Sequence, residues 1–306
     1  MSTHLGHQPG HDAGSGSRAA RGVLAVTELP AQHDSGAWDR IVASRALKDR
    51  LLGTALLQLV HGERLAAHGA GLSGLIILSG PPGTGKTTLA RGLAETAASA
   101  TAASGTTSFV EIDAHALPSE LLGESQRNMS RLLRETIPGV SSERPHTIVL
   151  IDEVESLAVA RDRASMDTNP IDVHRATDAL LEGVDHVARR CPGVLFVATT
   201  NFPSAIDRAF VSRADLVVEI GLPDAPTRAE IVRRSLSELA AVWPAWKTLA
   251  DDGPLHLELA ERTAGWDGRQ LHKLPLRAAE ADPHRARDPE SLTGDHLREA
   301  VANEGW

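Results

Sequence analysis

The chain has 306 residues, 42% hydrophobic and 23% charged, with 31 Lys+Arg against 40 Asp+Glu and a net charge of -9. A chain this long buries on the order of 75% of its unfolded surface, so a genuine core and about two domains are expected, and the composition excludes a disordered or membrane-embedded class. The acidic balance argues against nucleic acid as the partner, because tight nonspecific binding needs clustered Lys and Arg to release phosphate counterions. A local basic patch stays open. The unbroken apolar runs 75–78 and 194–198 fall far below the ~20 residues of a membrane helix. With one Cys, Cys191, no internal disulfide can form, and no charged-then-apolar leader opens the sequence, so a cytoplasmic location is expected.

Residues 1–35 carry His4, His7 and His11 among Gly, Ser, Gln and Ala and read as a flexible, solvated tail. A metal site there would need a second cluster of ligands. Apolar residues at helical spacing then start at Trp38 and Ile41 and continue through Leu47, Leu51, Leu52, Leu56 and Leu59, which predicts one amphipathic helix. From Leu75 short apolar runs alternate with helical stretches, the pattern of a parallel sheet with crossover helices. Five strands are predicted, over 75–79, 108–112, 147–151, 194–199 and 216–220, with helices near 87–100, 125–136, 172–187 and 204–210. After Pro223 and Pro226 only helical spacing remains, over 228–239, 256–264, 269–281 and 295–300. The expected organisation is a tail over 1–35, a large α/β domain over 36–223 and a small all-helical domain over 224–306.

Gly80-Pro81-Pro82-Gly83-Thr84-Gly85-Lys86-Thr87 fits G-x-x-x-x-G-K-[ST] between an expected strand and an expected helix. Residues Pro82, Gly83, Thr84, Gly85, Lys86, Thr87 and Thr88 are therefore the expected phosphate-binding set. Backbone N–H groups curl round the β-phosphate, the helix N-terminus adds its positive end, Lys86 reaches the β- and γ-oxygens, and Thr87 ligates Mg²⁺. A plain Gly/Pro turn would not require Lys and then Thr. The run Ile148-Val149-Leu150-Ile151 delivers Asp152 and Glu153 at the carboxyl end of a buried strand, where α/β sites lie. Asp152 is expected to hold Mg²⁺ and Glu153 to orient or deprotonate the attacking water; taken alone, the pair would equally serve as a helix cap. Asn201, after the run ending Ala198-Thr199-Thr200, is expected beside the γ-phosphate if its strand lies between those at 75–79 and 147–151. Without the other motifs it reads as a turn former.

Residues 80–87, 148–153 and 199–201 resemble the Walker A, Walker B and sensor-1 elements of AAA+ ATPases. Leu150-Ile151-Asp152-Glu153-Val154-Glu155-Ser156-Leu157 resembles more narrowly the pachytene-checkpoint branch, whose members remodel HORMA-domain proteins. Further matches are Ala209-Phe210-Val211-Ser212-Arg213-Ala214-Asp215 and Gly268-Arg269-Gln270-Leu271-His272-Lys273-Leu274-Pro275, and the similarity runs from about Trp38 to Pro275. The resemblance implies an AAA+ P-loop domain followed by a helical lid, Mg²⁺-dependent hydrolysis of ATP, and a homo-oligomeric, hexameric ring. It makes Arg213 the arginine finger acting on a neighbouring subunit and Arg269 the sensor-2 arginine. Arg208 competes for the finger role, either arginine would otherwise pair with Asp207 or Asp215, and Arg269 would otherwise be a solvated helix-start residue.

Two departures bear on the partner. Eukaryotic members carry a substrate-recognition domain ahead of the ATPase core, whereas a short tail precedes Trp38, so the sequence resembles the compact bacterial members that accompany HORMA proteins in CBASS anti-phage operons. Residues 119–125 align with the first pore loop, where Leu121 and Leu122 replace the family's aromatic residues and offer less contact area; the same leucines would suit a core helix. Residues 161–170 read as a second pore loop or a mobile connection. The expected function is a ring ATPase that opens closed HORMA complexes and switches signalling off. A nucleic-acid motor or clamp loader is opposed by the acidity, and a non-enzymatic switch or scaffold by the presence of Glu153, Asn201 and Arg213.

Overall fold

The computed structural model describes residues 22–31, 37–117, 124–157 and 170–303. Strands β1 (Val23–Leu29), β2 (Leu75–Ser79), β3 (Thr107–Asp113), β4 (His146–Asp152), β5 (Val194–Thr200) and β6 (Leu216–Glu219) form one sheet in the order β1-β3-β4-β5-β2-β6. The five expected strands are all present and mutually parallel. All five residues of β2 and all seven of β5 are buried, as their unbroken apolar runs require of strands covered on both faces.

Alternate residues serve opposite faces. Leu75 and Ile77 of β2 join Val149 and Ile151 of β4 and Phe196 of β5 in one core cluster, together with Leu180 and Val184 of the long helix over Pro170–Arg190. Ile76, Leu78, Ile148, Leu150, Leu195 and Val197 face the other way. There they meet helix α1 (Arg45–Ala67) through Leu51, Ala55 and Leu59, and α2 (Lys86–Thr101) through Leu89, Leu93 and Ala97. Burying each large apolar residue of this kind contributes roughly 1.5–3 kcal/mol of transfer free energy, so the sheet is pinned from both sides.

Besides the helix expected near 204–210, which is a turn at Pro203–Ala205 and a short helix at Arg208–Val211 separated by extended Ile206, two expectations need correction. The sheet has six strands rather than five, because Val23–Leu29, expected in the tail, pairs antiparallel with β3 from Leu29↔Thr107 to Val23↔Ile112. Its edge position explains the resemblance to a tail: Leu24 and Val26 remain 66% and 49% exposed, so burial never demanded a longer apolar run. Arg144 secures it, donating to Glu28 Oε2 (2.8 Å), Thr106 Oγ1 (3.2 Å) and Ser108 Oγ (3.1 Å). The single helix expected from Trp38 to Leu59 is two, a short turn at Ala37–Arg40 and α1. Ser44 divides them by capping α1, its Oγ accepting from the Leu47 N–H at 3.3 Å, and a Ser N-cap contributes about 1 kcal/mol.

The segment that follows the sheet is helical, with α3 (Ala225–Leu239), α4 (Gly253–Arg262), α5 (Gly268–Glu280) and α6 (Gly294–Ala302) its main elements. They share a separate core around Val232, Leu236, Trp246, Leu259, Leu271, Leu274 and Leu297. This unit touches the loop after β2 at one place. Asp267 caps α5, its Oδ1 accepting from the Gln270 N–H at 2.8 Å, and the Arg269 N–H donates to the Gly83 carbonyl at 3.2 Å. Gly83 has φ +76, and a Cβ there would lie 2.2 Å from Asp267 Oδ2. Gly83→Ala should therefore destabilise the protein by about 1–3 kcal/mol through the left-handed backbone and the clash. Denaturant melts of Gly83→Ala, Asp267→Ala and the double variant check this: the double should lose less than the sum of the singles, since removing the carboxylate relieves the clash, and strict additivity would contradict the contact.

Candidate nucleotide site

The loop between β2 and α2 turns on glycines at its closest approaches. At Gly80 a Cβ would lie 2.0 Å from the Ile220 carbonyl oxygen, so only glycine lets the backbone turn away from β6. Thr84 Oγ1 donates to the Pro81 carbonyl at 2.9 Å. Lys86, 6% exposed, donates from Nζ to the Gly80 carbonyl (2.9 Å) and the Pro81 carbonyl (2.7 Å). Burial pulls its ammonium below the usual lysine value, while the carboxylates of Glu155, Asp152 and Glu153 act in the opposite direction and Arg269 reinforces the lowering. The lysine is thus a cation short of solvent, placed where an anion would relieve it.

Asp152 ends β4 and lies beside the first turn of α2. Its Oδ1 accepts from Thr87 Oγ1 at 2.9 Å and from Thr199 Oγ1 of β5. Thr199 also accepts from the Glu153 N–H at 3.2 Å, so one hydroxyl joins both acids to the neighbouring strand. Glu153 is the one non-glycine residue with positive φ among the described residues, at +54. That conformation costs roughly 1–3 kcal/mol in a non-glycine residue and is characteristic of functional turns. It turns the carboxylate so that Oε1 accepts from Asn201 Nδ2 at 3.2 Å and Oε2 lies 2.8 Å from His115 Nε2. The hydrogen bond to Glu153, aided by the charges of Glu153, Asp113 and Glu155, holds the His115 imidazolium above the usual histidine range. The condition set for Asn201 is met, since β5 lies between β2 and β4, and its own N–H donates to Glu155 Oε1 at 3.1 Å.

Pro82 to Thr88, Asp152, Glu153, Thr199, Asn201 and Arg269 line one cleft of about 800 Å³. The lining also includes the apolar Ile41, Val42, Ala43, Leu47, Ile220 and Ile231, with Arg234, Glu238 and His272. A lining that combines a glycine-rich polar loop with apolar side chains suits a nucleotide, which has both phosphates and a base to hold. Arg269 comes from the first turn of α5, so the helical unit closes the cleft.

Arg213 does not line this cleft. Its Nε and Nη2 donate to the two oxygens of Asp185 at 2.9 and 3.1 Å, and its Nη1 to the Ala209 carbonyl at 2.8 Å. The partner of Arg213 is thus Asp185 rather than Asp207 or Asp215: Asp207 Oδ1 accepts from the Ala209 N–H, and Asp215 accepts from the N–H groups of Ser73, Gly74 and Leu75. Arg208 is exposed. Leu121 and Leu122, and residues 161–169, lie outside the described residues.

Sequence reasoning missed four groups at the site. Thr199 sits inside the run that yields Asn201, but its tie to Asp152 requires knowing that β4 and β5 are adjacent. Glu155 and Asp267 are within reach only as motif neighbours. His115 carries no local signal at all; the parallel pairing that sets Asp113 opposite Asp152 brings it to Glu153.

The AAA family, ATPase family associated with various cellular activities, matches residues 76–222. CD-NTase-associated protein 6 of Pseudomonas aeruginosa is 40% identical to this protein, covering 92% of it and 91% of the relative. The Arabidopsis thaliana pachytene checkpoint protein 2 homolog is 32% identical over 86% of the sequence, which spans 63% of that relative's length. The solved structure of C. elegans PCH-2 superposes with a TM-score of 0.73 at 26% identity, covering 90% of this protein and 74% of that one. That of the E. coli MS115-1 HORMA:CdnC:Trip13 complex gives 0.74 at 18% identity, covering 92% and 95%, and supports the fold alone. With its phosphate loop, paired acids and closing helical unit in these positions, the protein belongs to the AAA ATPase family, in the group that contains CD-NTase-associated protein 6 and the pachytene checkpoint protein 2 homologues.

Proposed function

We propose that this protein is a Mg²⁺-dependent ATPase, working as a homo-oligomeric ring of six, that opens or disassembles HORMA-domain protein complexes and thereby switches off CBASS-type anti-phage signalling in the cytoplasm. The observation that carries the enzymatic half is the convergence of Lys86, Thr87, Asp152, Glu153, Asn201 and Arg269 on one cleft. The partner half rests on likeness: 40% identity to CD-NTase-associated protein 6, together with a shared fold with a solved HORMA:CdnC:Trip13 complex.

Thr87 and Asp152 present a hydroxyl and a carboxylate 2.9 Å apart, hard oxygen donors of the kind that hold magnesium while it keeps several waters. The residues fit the ion. When bound it neutralises charge on the β- and γ-phosphates. The Nζ donors of Lys86 that now serve the Gly80 and Pro81 carbonyls are those offered to phosphate oxygens. Glu153 orients the attacking water and takes its proton, and Asn201 fixes that carboxylate from the γ-phosphate side. Arg269, on the helical lid over 224–306, links the occupancy of the cleft in the domain over 36–223 to the angle of the lid. Leu121 and Leu122 are the proposed pore grip. No described helix is long and apolar enough to cross a membrane.

Arg213 is proposed as the finger acting in trans. It stands away from its own cleft, and acting in trans would require it to exchange its part-exposed, bidentate hold on Asp185 for phosphate oxygens, which guanidinium also binds in bidentate fashion.

Glu153→Gln should retain nucleotide affinity and nearly abolish turnover, whereas Lys86→Ala should lose binding itself; equilibrium binding and steady-state hydrolysis separate the two, and wild-type turnover by Glu153→Gln would remove it from the mechanism. Arg213→Ala should slow hydrolysis by on the order of 10³-fold with binding intact. Turnover by mixed Arg213→Ala and Lys86→Ala subunits should exceed that of either alone, and a fully active monomer on dilution contradicts a finger supplied in trans.

A further inference from the structure

Asn201 stands just past the end of its strand, where the sheet no longer holds it. β5 pairs with β4 as far as Ile151↔Ala198 and with β2 as far as Ser79↔Thr200, so the Asn201 N–H lies beyond both ladders. Glu155 supplies the acceptor that the ladders do not, its Oε1 taking that N–H at 3.1 Å. The Asn201 side chain is bound from the same turn, its Nδ2 donating to Glu153 Oε1 at 3.2 Å. Two acids two residues apart thus grip one asparagine, one at the backbone and one at the amide.

The turn that carries both acids is well anchored. It is a single 3-10 turn over Val154–Ser156, with Val154 fully buried in the core. The Ser156 N–H (3.1 Å) and Oγ (2.9 Å) both donate to the Glu153 carbonyl. Placing Glu155 there is costly, because Oε2 is buried without a hydrogen-bond partner among the described residues, and an unpaired buried carboxylate oxygen destabilises a fold. Glu155 does not line the nucleotide cleft, which leaves it two routes to the chemistry. One is the bond to Asn201. The other is charge: burial lowers the Lys86 ammonium, and Glu155 opposes that lowering ahead of Asp152 and Glu153.

We infer that Glu155 is a positioning residue for Asn201: by accepting the Asn201 N–H it fixes the backbone from which the amide reaches Glu153, and through that amide the orientation of the base. The inference rests on Asn201 and Glu153 acting in hydrolysis as proposed. Because this bond is made within the protein and not to nucleotide, its loss falls on kcat rather than on KM for ATP.

The test is steady-state hydrolysis and equilibrium nucleotide binding by wild type, Glu155→Gln, Glu155→Met, Glu155→Ala, Asn201→Ala and Asn201→Ala/Glu155→Met, with thermal melts of each. Gln and Met both match Glu in length and both remove the charge that faces Lys86, but only Gln keeps an acceptor at the place of Oε1. Their difference isolates the hydrogen bond. Glu155→Met should have a kcat about tenfold below that of Glu155→Gln, with KM for ATP alike in the two. Glu155→Ala should match Glu155→Met and takes its place if that variant does not fold. Beside Asn201→Ala, Glu155→Met should cost less than about twofold more, since the residue it positions is gone. Equal kcat in Glu155→Gln and Glu155→Met overturns the positioning role, because charge alone would then account for Glu155, and so does a full loss repeated in the Asn201→Ala background. A slow Asn201→Ala beside a Glu155→Met at the wild-type rate leaves Asn201 in the mechanism and overturns only the role of Glu155. Wild-type kcat in Asn201→Ala removes Asn201 from hydrolysis, and the role of Glu155 falls with it.

Discussion

The carboxylate of Asp152 is the point to which the cleft is referenced. It accepts from Thr87, in the first turn of the helix that follows the phosphate loop, and from Thr199, near the end of the adjacent strand. Hydrogen bonds to a charged group contribute about 1.5–3 kcal/mol each, and these two run between three separate elements, so they fix relative position as well as stability. Once Asp152 is placed, Glu153 follows through its own N–H to Thr199, and Asn201 through its amide to Glu153. Cleavage of a phosphoanhydride, the proposed reaction, demands little covalent chemistry from a protein and much positioning; a node that holds α2, β4 and β5 together suits it.

The helical unit is attached to that node more lightly. Its core around Trp246 and Leu271 is its own, and its approach to the phosphate loop uses one backbone hydrogen bond, Arg269 N–H to Gly83, and the close pass of Asp267. A second tie joins α3 to the segment before α1, where Arg234 donates to the Asp39 carbonyl while also pairing with Glu230; hydrogen bonds from Arg233 and Arg234 draw the Glu230 carboxyl down to about 2. Large cores with few, polar connections are the arrangement in which one body can turn on another at small cost. Gly83 and Arg269 at the connection also line the cleft, so under the proposed function occupancy and lid angle would share a physical origin.

What is legible in the sequence depends on how local its cause is. Leu75–Ser79 is readable to the residue because a strand covered on both faces has to be apolar throughout, and the phosphate loop because its chemistry needs glycines, Lys86 and Thr87 in one short run. The edge strand Val23–Leu29 escapes because an edge needs only occasional burial, Leu29 being its one buried residue. The break at Ser44 is hidden under continuous apolar spacing. In the site, the missed ties are between residues far apart in sequence: Thr199 to Asp152, His115 to Glu153, and Arg213 to Asp185 rather than to the nearby Asp207 or Asp215. The first two follow from strand order and register and the third from the placement of the helix over Pro170–Arg190, none of which a single segment encodes.

The Thr199 hydroxyl ties Asp152 and Glu153 to β5, and the proposed hydrolytic mechanism turns on that tie. The decisive comparison is kcat alongside nucleotide affinity for Thr199→Val, a change that removes the hydroxyl and nearly keeps the shape. Affinity should stay within about threefold, because Lys86 and the phosphate loop are untouched, while kcat should fall at least about tenfold, the equivalent of one hydrogen bond to a charged group. Wild-type kcat in Thr199→Val, with the fold intact, would contradict that role for the hydroxyl.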